Sequence, residues 1–159
     1  MRRSTVKRAG VALCAALALT AAVAAIAVRA APEPSPSGDA ARGRALFTGA
    51  APLQARLASH PSDLPAAVVR CANCHAAGGG AAVANSIAPR LSRGWLVDWQ
   101  SRRGGPPSRY DRDAFCALLR DGVDPSYVLI NVQMPRYHVD ARDCAALWHF
   151  LTEGSDGRS

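Results

Sequence analysis

After Lys7 the chain contains no lysine, so all later basic charge is arginine. Of the 19 Lys and Arg residues, five precede residue 31, while all 12 Asp and Glu follow it. The remaining 14 basic residues against 12 acidic ones leave a net charge of +2. That balance gives no electrostatic footprint for nucleic acid, which is excluded as a partner. Methionine is scarce too: Met134 is the only one after Met1. No stretch alternates apolar and polar residues between hairpin-turn signals, which predicts an all-α domain with long loops. The absence of an internal repeat limits any cofactor unit to one copy.

The termini stand apart in composition. Arg2, Arg3, Lys7 and Arg8 precede an uncharged, alanine-rich run of 20 residues, 9–28. Val28-Arg29-Ala30 is a candidate cleavage site, with Ala25-Ile26-Ala27 as a second. Residues 1–30 read as a secretory signal peptide, or as an uncleaved membrane anchor, because 20 apolar residues just suffice to span a bilayer. The expected location is the periplasm, secreted or anchored to the inner membrane. Residues 31–38, rich in Pro and Ser, read as an extended linker. Residues 39–154 read as one domain of about 115 residues, and 155–159 as a disordered tail.

Residues 71–75 read Cys-Ala-Asn-Cys-His. The Cys-x-x-Cys-His spacing is an attachment signature of c-type haem. Two thiols three positions apart reach the two vinyl groups of one porphyrin, and the next histidine lies under the iron. Cys71 and Cys74 are the expected tethers and His75 the expected axial ligand of one covalently bound haem c. A zinc site is the rival reading, with Cys116 and Cys144 completing a Cys₄ set. A disulfide between Cys116 and Cys144 is the other use of that pair, fitting an oxidising compartment.

Met134 follows His75 by 59 residues and precedes Pro135. A thioether is a soft ligand for haem iron. Pro135 biases Met134 toward an extended backbone, which suits a loop crossing a porphyrin face. Met134 is therefore the expected second axial ligand. His60, His138 and His149 are rivals, His138 the strongest of them.

Helices are expected over 39–48, 111–121 and 141–153, with caps at Asp111 and Asp140 and a stop at Gly122. A second short helix is expected over 51–59, where Leu53 and Leu57 are four apart. Most of 39–153 then resembles the class I c-type cytochromes, monohaem proteins. The resemblance rests on Gly43 and Phe47, Cys71–His75, Ala88-Pro89-Arg90-Leu91, Met134-Pro135, and a last helix carrying Leu147, Phe150 and Leu151. It implies a cytochrome c-like fold whose terminal helices cross, with Gly43 and Phe47 meeting Leu147, Phe150 and Leu151. It also implies that the Pro89 carbonyl accepts from His75 Nδ1. The chain departs from the family over 48–70, which reads as an insertion.

Trp95, Trp99 and Tyr110 are candidate donors to haem propionates or linings of the haem edge, with Arg90 and Arg93 as counter-charges. Core packing and plain surface charge are equal alternatives for each. Arg90, Arg93, Arg102, Arg103, Arg109 and Arg112 form a stretch that reads equally as a solvated loop or as a surface steering an acidic redox partner. The implied function is single-electron transfer between redox proteins, without catalysis by the chain itself. The alternatives are a haem enzyme or sensor with a labile sixth ligand, or a cytochrome subunit of a dehydrogenase or oxidase. The sequence carries no signal for oligomeric state.

Overall fold

The computed structural model of the chain describes residues 36–78 and 88–154. All of them belong to one compact unit, Pro34–Ser159. The expected signal or anchor over 1–30, most of the linker and the tail over 155–159 lie outside the described residues.

Helix α1, Pro36–Thr48, carries Leu46 and Phe47 into the core. Helix α4, Ala141–His149, continues into a π-helical turn over Phe150–Gly154. The two helices pack on each other as the main contact of the fold. Where they cross, a side chain at Gly43 would lie 2.0 Å from the Ala146 carbonyl oxygen, so only glycine fits. The Phe47 and Phe150 rings stand 5.6 Å apart, a distance favourable for tilted aromatic pairs. Arg42 pairs with Asp143 through two hydrogen bonds of 2.9 and 2.8 Å and ties the exposed edge of the crossing. The α4 start is capped by Asp140, whose carboxylate accepts from Asp143 N at 2.7 Å.

Helix α2, Arg93–Val97, begins at Ser92, whose hydroxyl accepts from Trp95 N. Helix α3, Arg112–Asp121, begins at Asp111, which accepts from Ala114 N, and ends at Gly122 in the left-handed conformation. Its buried face of Phe115, Leu118 and Leu119 meets α4, with Phe115 5.7 Å from Trp148. Cys116 and Cys144 form a disulfide joining α3 to α4.

The all-α expectation is corrected. Two small antiparallel sheets accompany the helices: β1, Ala55–Arg56, pairs with β4, Arg136–Tyr137, and β2, Gln100–Ser101, pairs with β3, Pro107–Ser108. The helix expected over 51–59 is absent. Ala51, Leu53 and Ala55 are buried while Pro52, Gln54 and Arg56 are exposed, the period-two burial of an extended segment. Its backbone is satisfied laterally, by His138 N donating to Gln54 O and Leu64 N to Ala55 O. Two-residue ladders are too short to write an alternating pattern into the sequence, which is why none was read there.

The membrane location is corrected as well. Among the described residues no helix is long and apolar enough to cross a membrane. The 9–28 run on which that expectation rested lies outside them.

A candidate redox site around the Cys-x-x-Cys-His turn

Cys71–Asn73 form one 3₁₀ turn. Cys74 N and His75 N both donate back to Cys71 O, at 3.2 and 2.9 Å, which fixes the spacing of the two thiols and the imidazole. Asn73 Nδ2 donates to the Ala67 and Val68 carbonyls at 3.0 and 2.9 Å and anchors the turn to the segment before it.

The His75 ring is held from the other side. Its Nδ1 lies 2.7 Å from the Pro89 carbonyl oxygen, which can only accept, so Nδ1 carries the proton and Nε2 presents a lone pair. The segment supplying that carbonyl is placed by backbone bonds. Leu91 N donates to Ala76 O and Gly78 N to Leu91 O, a parallel bridge between Ala77 and Leu91. Arg90 Nη1 donates to Gly78 O at 3.2 Å, so this arginine fastens the loop. Burial lowers the His75 pKa, with the Pro89 bond acting weakly against it. The ring is thereby kept neutral, the form that ligates metals.

Cys71 and Cys74 are not joined in a disulfide, whereas Cys116 and Cys144 are, with Cα atoms 5.9 Å apart. That pairing removes the Cys₄ zinc reading, because two of its four thiolates are consumed. Burial pushes the Cys71 thiol up to about 11. It is protonated at neutral pH and a poor nucleophile, unlike a thiol built for disulfide exchange.

The expectation of a haem c is corrected in what the fold itself provides. Among the described residues there is one disulfide-linked cysteine pair and no group of three or more His, Cys, Asp or Glu side chains able to hold a metal ion. The histidine rivals are turned to other partners. His60 Nδ1 lies 3.1 Å from Ser62 O, His138 Nε2 3.1 Å from Asp63, and His149 Nδ1 2.9 Å from Glu153.

Met134 is partly buried against the core. Its N donates to Asn131 O at 3.1 Å, and its carbonyl accepts from Arg136 Nη1 at 2.7 Å. The strand that follows reaches the cysteine turn: Tyr137 OH donates to Val69 O at 2.8 Å and lies beside the Cys71 thiol. Leu129 and Val132 before Met134, and Val68 before Cys71, are large apolar side chains left exposed.

Trp95 and Tyr110 do come together, but around a residue that sequence reading placed only in a charged stretch. The Arg102 guanidinium stands 5.2 Å from the Trp95 ring and 5.0 Å from the Tyr110 ring. It donates to the Trp95 and Ser108 carbonyls. Arg102 is buried, and its Nε is the one buried side-chain polar atom without a partner among the described residues. Trp99 is exposed beneath the Arg109 guanidinium, 5.5 Å away. Arg93 Nη1 donates to Thr152 O at 3.2 Å. Arg102, Arg136 and Tyr137 were missed as site residues because they lie in loops and two-residue strands with no periodicity to single them out. The proximity of Arg136 and Tyr137 to Met134 in the chain was the available signal.

Comparison with family models, with curated proteins and with solved structures gave no match for this chain.

Proposed function

We propose that the chain is a one-electron carrier of the class I cytochrome c kind, its redox centre held at Cys71, Cys74, His75 and Met134. The observation that carries this reading is the 2.7 Å hydrogen bond from His75 Nδ1 to the Pro89 carbonyl. A structural histidine next to a cysteine pair has no need of a fixed tautomer with Nε2 free; an axial ligand does. Two further features support it: Cys116 and Cys144 form a disulfide while Cys71 and Cys74 are not joined in one, and Val68 before the turn and Leu129 and Val132 before Met134 are exposed apolar side chains.

A haem bound there would supply a reversible Fe(III)/Fe(II) couple, with His75 and Met134 as its two protein ligands. The chain's part is to tether, orient and insulate it. Cys71 and Cys74 would tether it. Pro89, which lacks an amide donor, presents its carbonyl to His75. Arg136 holds the Met134 loop through that residue's carbonyl.

The test is mass and optical analysis of protein produced with the haem-ligation machinery. The expected result is a covalent adduct on Cys71 and Cys74 that survives acidified organic extraction, with a low-spin spectrum. Met134→Ala should then lower the reduction potential and open the sixth position to added CO. Colourless protein of unmodified mass would refute the reading, and an unchanged potential in Met134→Ala would remove Met134 from it.

A further inference from the structure

A cavity of about 650 Å³ opens beside the β1–β4 ladder. Arg56, Arg120, Arg136, Asp121, His138 and Asp140 supply its charged and titratable lining. Arg56 and Arg136 are Cα partners in the antiparallel register, so they face each other on one side of the ladder. Like charges placed directly opposite in a strand pair are destabilising. Arg120, from the last turn of α3, adds a third cation.

No ion pair joins Arg56, Arg120 or Arg136 to a carboxylate among the described residues. Arg136 is only 9% exposed. Its guanidinium lies against Gly122, whose φ of 71° and missing Cβ make the room: a side chain there would come within 1.9 Å of Arg136 Nε. Arg136 already donates one hydrogen bond, from Nη1 to the Met134 carbonyl at 2.7 Å, and the other charges of the cavity are engaged too. The Asp140 carboxylate caps α4, and His138 Nε2 is turned to Asp63. Asp121 is left as the counter-charge to three arginines.

The geometry points to a binding site for a small phosphate-class oxyanion, free phosphate or a phosphate monoester, held between Arg56, Arg120 and Arg136. Planar guanidinium forks match such an anion in charge and in geometry. The volume suits a small ligand. The anion would also relieve the repulsion between two facing arginines. The site uses Arg56 from the 48–70 segment, so it depends on the part of this chain that departs from the family it resembles.

The test is calorimetric titration of the full chain with sodium phosphate, with glycerol 2-phosphate and with succinate, each against sodium chloride at matched ionic strength. Saturable phosphate or monoester binding is expected, with a raised melting temperature. Arg56→Gln and Arg120→Gln remove exposed side chains and should each weaken binding on the order of tenfold. Arg112→Gln, whose side chain is exposed and paired with Asp113, should leave it unchanged. Binding to free phosphate identifies the ion itself as the ligand, and binding to the monoester alone identifies an ester. No saturable heat, binding of succinate alone, or equal losses in Arg112→Gln and Arg56→Gln would overturn the site. The readout does not involve the redox centre, so its failure leaves the proposed electron transfer untouched.

Discussion

Gly43 is where a single atom decides the packing. A Cβ there would stand 2.0 Å from Ala146 O and 2.6 Å from Phe150 Cβ. Alanine has the better helix propensity by about 1 kcal/mol. Overpacking of a helix crossing costs about 1–3 kcal/mol, so the steric term wins. Gly43→Ala should lower the urea midpoint without changing the slope, and a midpoint equal to wild type would show that the helices shift freely. Gly43, Phe47, His75 and Pro89 could be read from the sequence because each sits at a fixed offset within a motif. Arg102 could not. Its role comes from two rings and two carbonyls brought together by a loop, and no spacing in the chain encodes that.

At the scale of elements, α3 and α4 were foreseen because each carries its own start signal, Asp111 and Asp140; α1 was foreseen from its Gly43/Phe47 face but begins at Pro36, three residues before the expected start and within the expected linker. The segment 51–56 was misread because Leu53 and Leu57 lie at helical spacing, while its real partner, β4, is remote in sequence. Tertiary pairing overrode the local period there. The disulfide acts between elements. It closes a sequence separation of 28 and joins α3 to α4, with Cys144 fully buried. A loop of that length is worth about 3–4 kcal/mol, chiefly by restricting the unfolded chain. Reduction, or the double substitution Cys116→Ala with Cys144→Ala, should lower the melting temperature on the order of 10–20 °C. A shift of only a degree or two would mean that packing of α3 on α4 alone holds the pair together.

For the whole molecule, the buried titratable groups define a pH window that depends on whether the site is filled. Burial raises the Cys71 thiol from 9.0 to about 11 and raises Tyr137 and Tyr110 above their ordinary value of 10.0. In each case the folded state favours the neutral form. Above the ordinary value the unfolded chain therefore releases protons that the folded chain keeps, and stability falls as pH rises. His75 works in the opposite direction: burial lowers it below 6.5, so the unfolded chain binds the extra proton and stability falls as pH drops below that value. Protein lacking any adduct should thus be most stable between about pH 6.5 and 9. Under the proposed function, a thioether at Cys71 would not titrate, and a His75 imidazole bound to a metal would not protonate readily. Matured protein should consequently hold its stability further into acid, and its alkaline loss should begin only with the tyrosines, above pH 10. Urea midpoints measured across pH 4–11 on both forms test this directly. Identical profiles would mean that Cys71 and His75 are in the same chemical state with and without maturation, which is incompatible with a redox centre bonded to them.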